Sequence, residues 1–449
     1  MMTVREAAYL SLYKCEKNGS YTNIEVDSAI EKYGFTNSDR AFYTALVYGT
    51  IERKITLDYI ISQFSSREIN KIDKDILVIL RLGVYQIVYM GGVADHAACN
   101  ETVEICSKIK KKSASGFVNA LLRETLRKKD NIFFPEKQKN AVKYLSVKYS
   151  FPEWLCDMWI NDYGFDKCES ILFALNVSPD ITLRVNTIKT SVDDVLSELT
   201  EKGIKAEKGK YSPFAVRLLQ NMPVSELDML KDGRVFVQDE ASACCAGVLD
   251  AQNGDFVIDT CSCPGGKSFS VAVGMNNGGS VYSMDLHANK LSLVEKGAKR
   301  LGIDIIKTMA HDGSSYKEEL KGKADRVLVD APCSGLGVIA KKPDLRYKEK
   351  AALERLPEIQ YKILDASSNY VKSGGTLVYS TCTLNKRENE DVVKKFLDNH
   401  TDFVSVDFEI GGGVESSEGM LTLYPDTHNT DGFFISKFKK KPTFFFERK

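Results

Sequence analysis

Gly254-Asp255-Phe256-Val257-Ile258-Asp259-Thr260-Cys261-Ser262-Cys263-Pro264-Gly265-Gly266-Lys267-Ser268 decides how the second half of the chain reads. An apolar run of strand length ends on an acid, turns through glycines, and opens a helix over 266–275. Outward from it the alternation repeats. Strand 280–285, helix 287–301, strands 305–310 and 325–330, helix 349–371, strand 375–380 and helix 386–398 follow, with a late strand Phe433-Phe434-Ile435-Ser436. That order predicts a parallel sheet covered by helices. In such sheets ligands bind beyond the carboxyl ends of the strands.

The residues at those ends carry the chemistry. Glycines in the 261–267 loop let backbone amides approach a ligand at a helix N-terminus. The loop closes on Gly-Lys-Ser, but a phosphate-binding P-loop needs a glycine where Cys261 stands, and no G-x-G-x-x-G is present. Asp285 ends the second strand and Asp312, in His311-Asp312-Gly313, is read as ending the third. Singly, each reads as a turn or capping aspartate. Together with Asp259 they suggest an adenosine-bearing ligand with little phosphate, because Lys267 is the one cation at that edge. Further on, Asp330-Ala331-Pro332-Cys333-Ser334-Gly335-Leu336-Gly337 follows the apolar run Val327-Leu328-Val329, and Ser380-Thr381-Cys382-Thr383 follows Thr376-Leu377-Val378-Tyr379. Two thiols and an acid are therefore expected at one sheet edge. A thiolate there can add to an electron-poor ring. Carbon 5 of cytosine takes a methyl group only after thiolate addition at carbon 6 makes an enamine, and a base must then remove the proton at carbon 5. Cys15, Cys99, Cys106, Cys156 and Cys168 read as small packing residues, as do the side chains of Cys244, Cys245, Cys261 and Cys263.

Before residue 130 the pattern is helical throughout. Val4–Tyr13 has helical spacing, Ser38-Asp39 looks like a cap for one helix over Arg40–Phe64, and Asp75–Met90 is apolar almost all round, as a buried central helix would be. Helices over His96–Lys108 and Ser115–Lys128 follow. Basic residues gather at Lys108, Lys110, Lys111, Lys112, Arg123, Arg127, Lys128 and Lys129, either as solvated helix ends or as an RNA-backbone contact. Between the halves, helices give way to strands 181–186 and 215–219 around a short helix capped at Ser191: a small α+β module. The expected divisions are 1–130, 131–240 and 241–440, in keeping with 449 residues and about three domains. Formal net charge is zero, so any nucleic acid must be held by local patches. No apolar run approaches the roughly 18 residues that span a bilayer, and Arg5 and Glu6 interrupt any signal-like start. The 11 cysteines include no C-x-x-C pair, so no metal site is expected and the compartment reads as reducing cytoplasm.

Pro264-Gly265-Gly266-Lys267, Asp330-Ala331-Pro332-Cys333-Ser334-Gly335, and Ser380-Thr381-Cys382-Thr383 with Glu388-Asn389-Glu390 resemble the RNA cytosine-5 methyltransferases that use S-adenosyl-L-methionine. Lys341-Lys342-Pro343-Asp344-Leu345-Arg346-Tyr347 resembles their Arg-Arg-x-Pro-Asp-x-x-Trp segment. Gly116-Phe117-Val118-Asn119-Ala120-Leu121-Leu122-Arg123 is similar to the NusB-type RNA-binding domain. The combination resembles the bacterial ribosomal RNA small-subunit methyltransferase B (Sun) family over nearly the whole chain. It implies an all-α NusB-like domain, a small α+β module and an α/β Rossmann-like methyltransferase domain, acting on 16S ribosomal RNA. It further implies Cys382 as nucleophile, Cys333 assisting release, and Asp330 and Lys267 at the methyl-transfer centre. Cys261, Ser262, Cys263, Pro264, Gly265, Gly266, Lys267, Asp285, Asp312 and Asp330 are the implied cofactor contacts. Cys261-Ser262-Cys263 stands where the family has Cys-Ala-Ala, which adds a thiol near the cofactor. A transfer-RNA methyltransferase and a non-catalytic RNA-binding assembly factor are the alternatives. The N-terminal helices argue against the first, and the intact Cys333, Cys382, Asp330 and Lys267 against the second. No coiled-coil heptad is present, so a monomer is the default, with no membrane partner.

Overall fold

A computed structural model describes residues 2–18, 22–220 and 222–442. The chain packs into two compact bodies. One holds the residues up to Val177 together with Ile339–Lys348; the other holds Ser178–Val338 and the described residues from Glu349 on.

The first body is helical: α1 (Val4–Asn18), α2 (Thr22–Tyr33), α3 (Asn37–Glu52), α4 (Lys54–Phe64), α5 (Lys74–Tyr89), α6 (Asp95–Lys108), α7 (Ser115–Lys128), α8 (Ala141–Tyr149), α9 (Glu153–Tyr163) and α10 (Phe165–Ala174). Asp73 caps α5 by accepting from the Asp75 N–H at 3.0 Å. Ile79, Leu80, Leu82 and Val84 of α5 are fully buried, as its all-round apolar sequence requires. The buried cation of that helix, Arg81, donates to Asp58 and Glu16 at 2.6 Å each. The single helix expected over 40–64 is two, broken at Arg53, whose N–H turns back to the Gly49 carbonyl. Ile339–Lys348 adds a short turn to this body. Within it Arg346 is fully buried, stacked on Phe151, and donates to the Glu52 carbonyl and Asn176 Oδ1 at 2.9 Å each. Much of the basic cluster is paired with acids: Lys111 with Asp73 and Asp75, Arg127 and Lys128 with Glu124, Lys108 with Glu6, Lys129 with Asp95.

The second body begins with a small antiparallel sheet. β1 (Ile181–Val185) is followed by α11 (Val192–Glu201), β2 (Ala206–Lys208), β3 (Ala215–Leu218), α12 (Asp228–Lys231) and β4 (Val235–Val237), in the order β2-β3-β1-β4. Ser191 and Asp194 form a reciprocal capping box on α11. Then α13 (Glu240–Leu249) leads into β5 (Phe256–Asp259), α14 (Gly266–Gly274), β6 (Ser280–Asp285), α15 (Ala288–Leu301), β7 (Ile306–Ala310), β8 (Ala324–Asp330), α16 (Lys350–Leu353), α17 (Leu356–Ser368), β9 (Val371–Thr381), α18 (Glu390–Asn399), β10 (Phe403–Ser405), β11 (Glu409–Ile410), β12 (Val414–Glu415), β13 (Met420–Leu423), α19 (Pro425–His428) and β14 (Phe433–Lys440).

The large sheet runs β10-β14-β9-β8-β5-β6-β7, with β13 on β14. Strands β5 to β9 are parallel, as their helical crossovers predict. The sheet as a whole is mixed, because β14 enters antiparallel to β9 from its hairpin with β13. From β5 the chain winds outward to β7, then returns to lay β8 on the other side of β5. The crevice between β5 and β8 is thus a topological switch point, where open α/β sheets bind ligands. Among the described residues no helix is long and apolar enough to cross a membrane.

Candidate active site

The ends of β5, β8 and β9 bring the chemistry together. Asp330 is the last residue of β8, and one of its oxygens accepts from Lys267 Nζ at 2.6 Å. The other accepts from Ser380 Oγ at 2.9 Å, on the neighbouring β9. Lys267 rises from the first turn of α14 and lies over the Phe433 ring. Burial disfavours its charge, but the Asp330 carboxylate outweighs burial and raises its pKa. Lys267 is thereby held as a cation whose position is fixed.

Cys333 and Cys382, 49 positions apart, place their sulfurs 3.2 Å from each other. The loops that carry them are locked backbone to backbone. Gly337 N–H donates to the Cys382 carbonyl at 3.0 Å, and Gly432 N–H to the Gly337 carbonyl at 2.9 Å. A Cβ on Gly337 would fall 1.8 Å from the Gly432 oxygen, so the approach needs glycine. The two thiols are unequal. Hydrogen bonding from Cys333 lowers the Cys382 pKa below 9.0, with Lys267 helping and burial and Asp330 opposing. The same hydrogen bond, with burial, drives Cys333 well above 9.0. Of the pair, Cys382 is therefore the more acidic thiol and Cys333 the less acidic.

Beside them lies the loop after β5. Ser262 N–H donates to the Met284 carbonyl and Gly265 N–H to the Ser262 carbonyl, which folds residues 262–265 into a tight turn. Gly265 has φ +113°, and a Cβ there would strike the Phe269 ring. Ser262 Oγ is buried without a hydrogen-bond partner among the described residues. Asp285, ending β6, accepts from the His287 N–H with one oxygen. Burial, then the Asp285 charge, pushes the Cys263 thiol up to about 12, so the extra thiol stays protonated. Cys261 is likewise driven up by burial and by Asp259. Asp312 lies two residues beyond β7 and accepts from the Ser314 N–H and Oγ in a local turn. Pro264 and Gly266 complete the loop at the N-terminus of α14.

Gln360 takes part in this site without having been named from sequence, and Ser380, Thr383 and Glu388 were named there only as motif residues, with no role given. Alternation in β9 puts Ser380 on the same side as Cys382, a signal the sequence did carry. The bonds of Glu388 join three separate segments, which no local pattern reveals.

Residues 246–439 match the family described as 16S rRNA methyltransferase RsmB/F, residues 2–127 the NusB family, and residues 151–225 the ferredoxin-like domain of RsmF/B-like methyltransferases. The chain is 38% identical over 98% of its length to the probable ribosomal RNA small subunit methyltransferase B of Bacillus subtilis, covering 99% of that protein. It is 32% identical to the ribosomal RNA small subunit methyltransferase B of Escherichia coli O127:H6, over 90% of this chain and 92% of that one. A crystal structure of a methyltransferase homologue from Pyrococcus horikoshii superposes with a TM-score of 0.60 at 27% identity, over 67% of this chain and 99% of that one. With a NusB-like helical domain, a small α+β module and a Rossmann-like methyltransferase domain in that order, the chain belongs to the ribosomal RNA small subunit methyltransferase B family, whose methyl donor is S-adenosyl-L-methionine.

Proposed function

We propose that the protein methylates carbon 5 of a cytosine in 16S ribosomal RNA through a covalent adduct between Cys382 and the base. The observation that carries this reading is the 3.2 Å approach of two inequivalent thiols beside the Lys267–Asp330 pair. The reading puts the enzyme in the cytoplasm, acting as a monomer, with the helical N-terminal body contributing RNA contacts. The residues at the switch point suit the methyl donor. The 261–267 turn brings main chain and the unpartnered Ser262 Oγ to the edge of β5, and Asp285 ends β6 with one oxygen not used by the His287 turn. Those groups, with Asp312 and Asp330, would hold it. Bound there, S-adenosyl-L-methionine supplies an electrophilic methyl group.

The chain's own residues do the rest. Cys382, already the more acidic thiol, adds as thiolate to carbon 6 of the ring. The electron pair moves to carbon 5, which would bond to the donor's methyl carbon as that carbon's bond to the sulfonium sulfur breaks and the donor leaves as a neutral thioether. Lys267 and Asp330, locked to each other at 2.6 Å, line the place where this charge moves. Once the Cys382 sulfur is bonded to carbon, it no longer draws on the Cys333 hydrogen bond. The largest cause of the raised Cys333 pKa then disappears. Cys333 can release its proton to water and take the proton from carbon 5. The double bond re-forms, the carbon–sulfur bond breaks, and Cys382 leaves as the thiolate it began as.

Cys382→Ser should abolish methyl transfer to 16S ribosomal RNA while calorimetry still detects cofactor binding. Cys333→Ser should trap a methylated protein–RNA species, seen as a slow band on a denaturing gel. Trapping by Cys382→Ser in its place would reverse the two roles. Tritium transfer to deproteinised 16S and to transfer RNA separates the substrates; incorporation only into transfer RNA would sink the 16S assignment.

A further inference from the structure

Glu388 is fully buried and holds both thiol loops at once. Its Oε2 accepts from the Ser334 N–H and from Gln360 Nε2, each at 2.8 Å. Its Oε1 accepts from Asn385 Nδ2 at 2.8 Å. Ser334 follows Cys333 directly, and Asn385 lies just past Cys382. Gln360, from α17, also donates to the Pro332 carbonyl at 3.0 Å, so the main chain is gripped on both sides of Cys333. Ser334 Oγ and Thr383 Oγ1 add a direct tie at 2.7 Å. Glu388 is itself anchored, because its carbonyl accepts from the buried Tyr379 hydroxyl at 2.7 Å. Three donors aimed at one side chain suit an acceptor-only carboxylate. An amide of the same shape would turn an N–H toward one of them.

We propose that Glu388 is the positioning residue that sets Cys333 against Cys382 for release of the methylated base. The inference rests on the thiol mechanism above. Addition and methyl transfer use Cys382, Lys267 and Asp330, none of which is bonded to Glu388. Addition draws on Cys333 only through its hydrogen bond to Cys382, whereas the last step needs the Cys333 sulfur itself. There the proton on carbon 5 passes to the Cys333 sulfur as the bond between carbon 6 and Cys382 breaks. A shift of Cys333 by about 1 Å would slow that step on the order of a hundredfold, and addition less, because addition feels Cys333 only through the hydrogen bond to Cys382. Loss of the Glu388 carboxylate should therefore divide turnover into a working first half and a stalled second half.

The test is Glu388→Gln, with full-length protein, a 16S transcript and methyl-labelled S-adenosyl-L-methionine. Single-turnover methyl transfer should persist, and steady-state turnover should fall by about tenfold to a hundredfold. A methyl-labelled protein–RNA band should accumulate although both cysteines are intact. Cofactor affinity by calorimetry should not change. Turnover that falls with no labelled band, or that does not fall, overturns the proposal, since a general loosening of the fold would slow every step without stalling after transfer. If this variant fails to fold, Gln360→Met decides by the same readouts. It removes one donor from the carboxylate and the grip on Pro332, and its band should be weaker but present. Cys333→Ser runs alongside. If that control traps no RNA, the thiol mechanism itself falls and this inference with it; if it traps and Glu388→Gln does not, only this inference falls.

Discussion

Asp259 ends β5 with 1% of its surface exposed, and burial pushes its carboxyl up from 3.8 to about 7. A hydrogen bond from Ser268 Oγ at 2.6 Å works against that rise, and the Asp330 charge adds to it. The folded protein therefore keeps a proton that the unfolded chain has lost above about pH 4. Stability from this group is highest at low pH, declines through the window between 3.8 and about 7, and has lost roughly 4 kcal/mol above it. Asp259→Asn should remove that decline, so urea melts of the two proteins should diverge as pH rises from 4 to 8, with the variant gaining. Parallel curves would show that Asp259 is not protonated in the folded state. The acids at the ends of β5, β6 and β8, and the thiols near β8 and β9, were legible because each follows an apolar run that marks a strand. Glu388 was not, beyond its place in a familiar motif. Its meaning comes from donors at 334, 360 and 385, which meet only once the sheet has formed.

Helix α5 shows what hydrophobic spacing can and cannot say. Its burial was legible from composition, yet the closeness of its neighbours was not. A Cβ on Gly83 would lie 2.6 Å from a methyl of Leu122 in α7 and 3.1 Å from Thr102 in α6. Overpacking there costs roughly 1–3 kcal/mol. Alanine regains about 1 kcal/mol of helix propensity, so Gly83→Ala should cost no more than about 2 kcal/mol. Gly83→Val, bulkier and a poorer helix former, should lower the thermal midpoint clearly; an unchanged midpoint would mean that Leu122 gives way freely. The break at Arg53 escaped sequence reading for a related reason. Leu46 and Val47 before it, and Leu57, Ile60 and Ile61 after it, all bury into one core, so the apolar pattern runs across the kink. The late strand was expected to end at Ser436 but runs to Lys440. Lysines at 437, 439 and 440 hide the alternation that buries Phe438.

The division of the molecule into two bodies does not follow chain order, because Ile339–Lys348 belongs to the first while its neighbours on both sides belong to the second. Sequence showed a recognisable segment there and gave no hint of the core it joins, since the carbonyls that Arg346 satisfies, of Glu52 and Ser150, lie 294 and 196 positions away. Burial lowers the guanidinium pKa, and Nη1 donates hydrogen bonds to Glu52, Ser150 and Asn176. Arg346→Met removes all of them and leaves buried oxygens unmatched, at about 1–3 kcal/mol each. The segment should then detach more often, and trypsin should cut after Lys341 faster than in the unaltered protein; equal cutting rates would show that Arg346 does not hold it. The same segment bears on how the chain is made. A ribosome adding about 5–20 residues each second finishes the tenth helix roughly ten to thirty seconds before residue 339 emerges. Until then the newborn N-terminal helices carry an open seam at Glu52, Ser150 and Asn176, to be closed by a stretch still waiting to be translated.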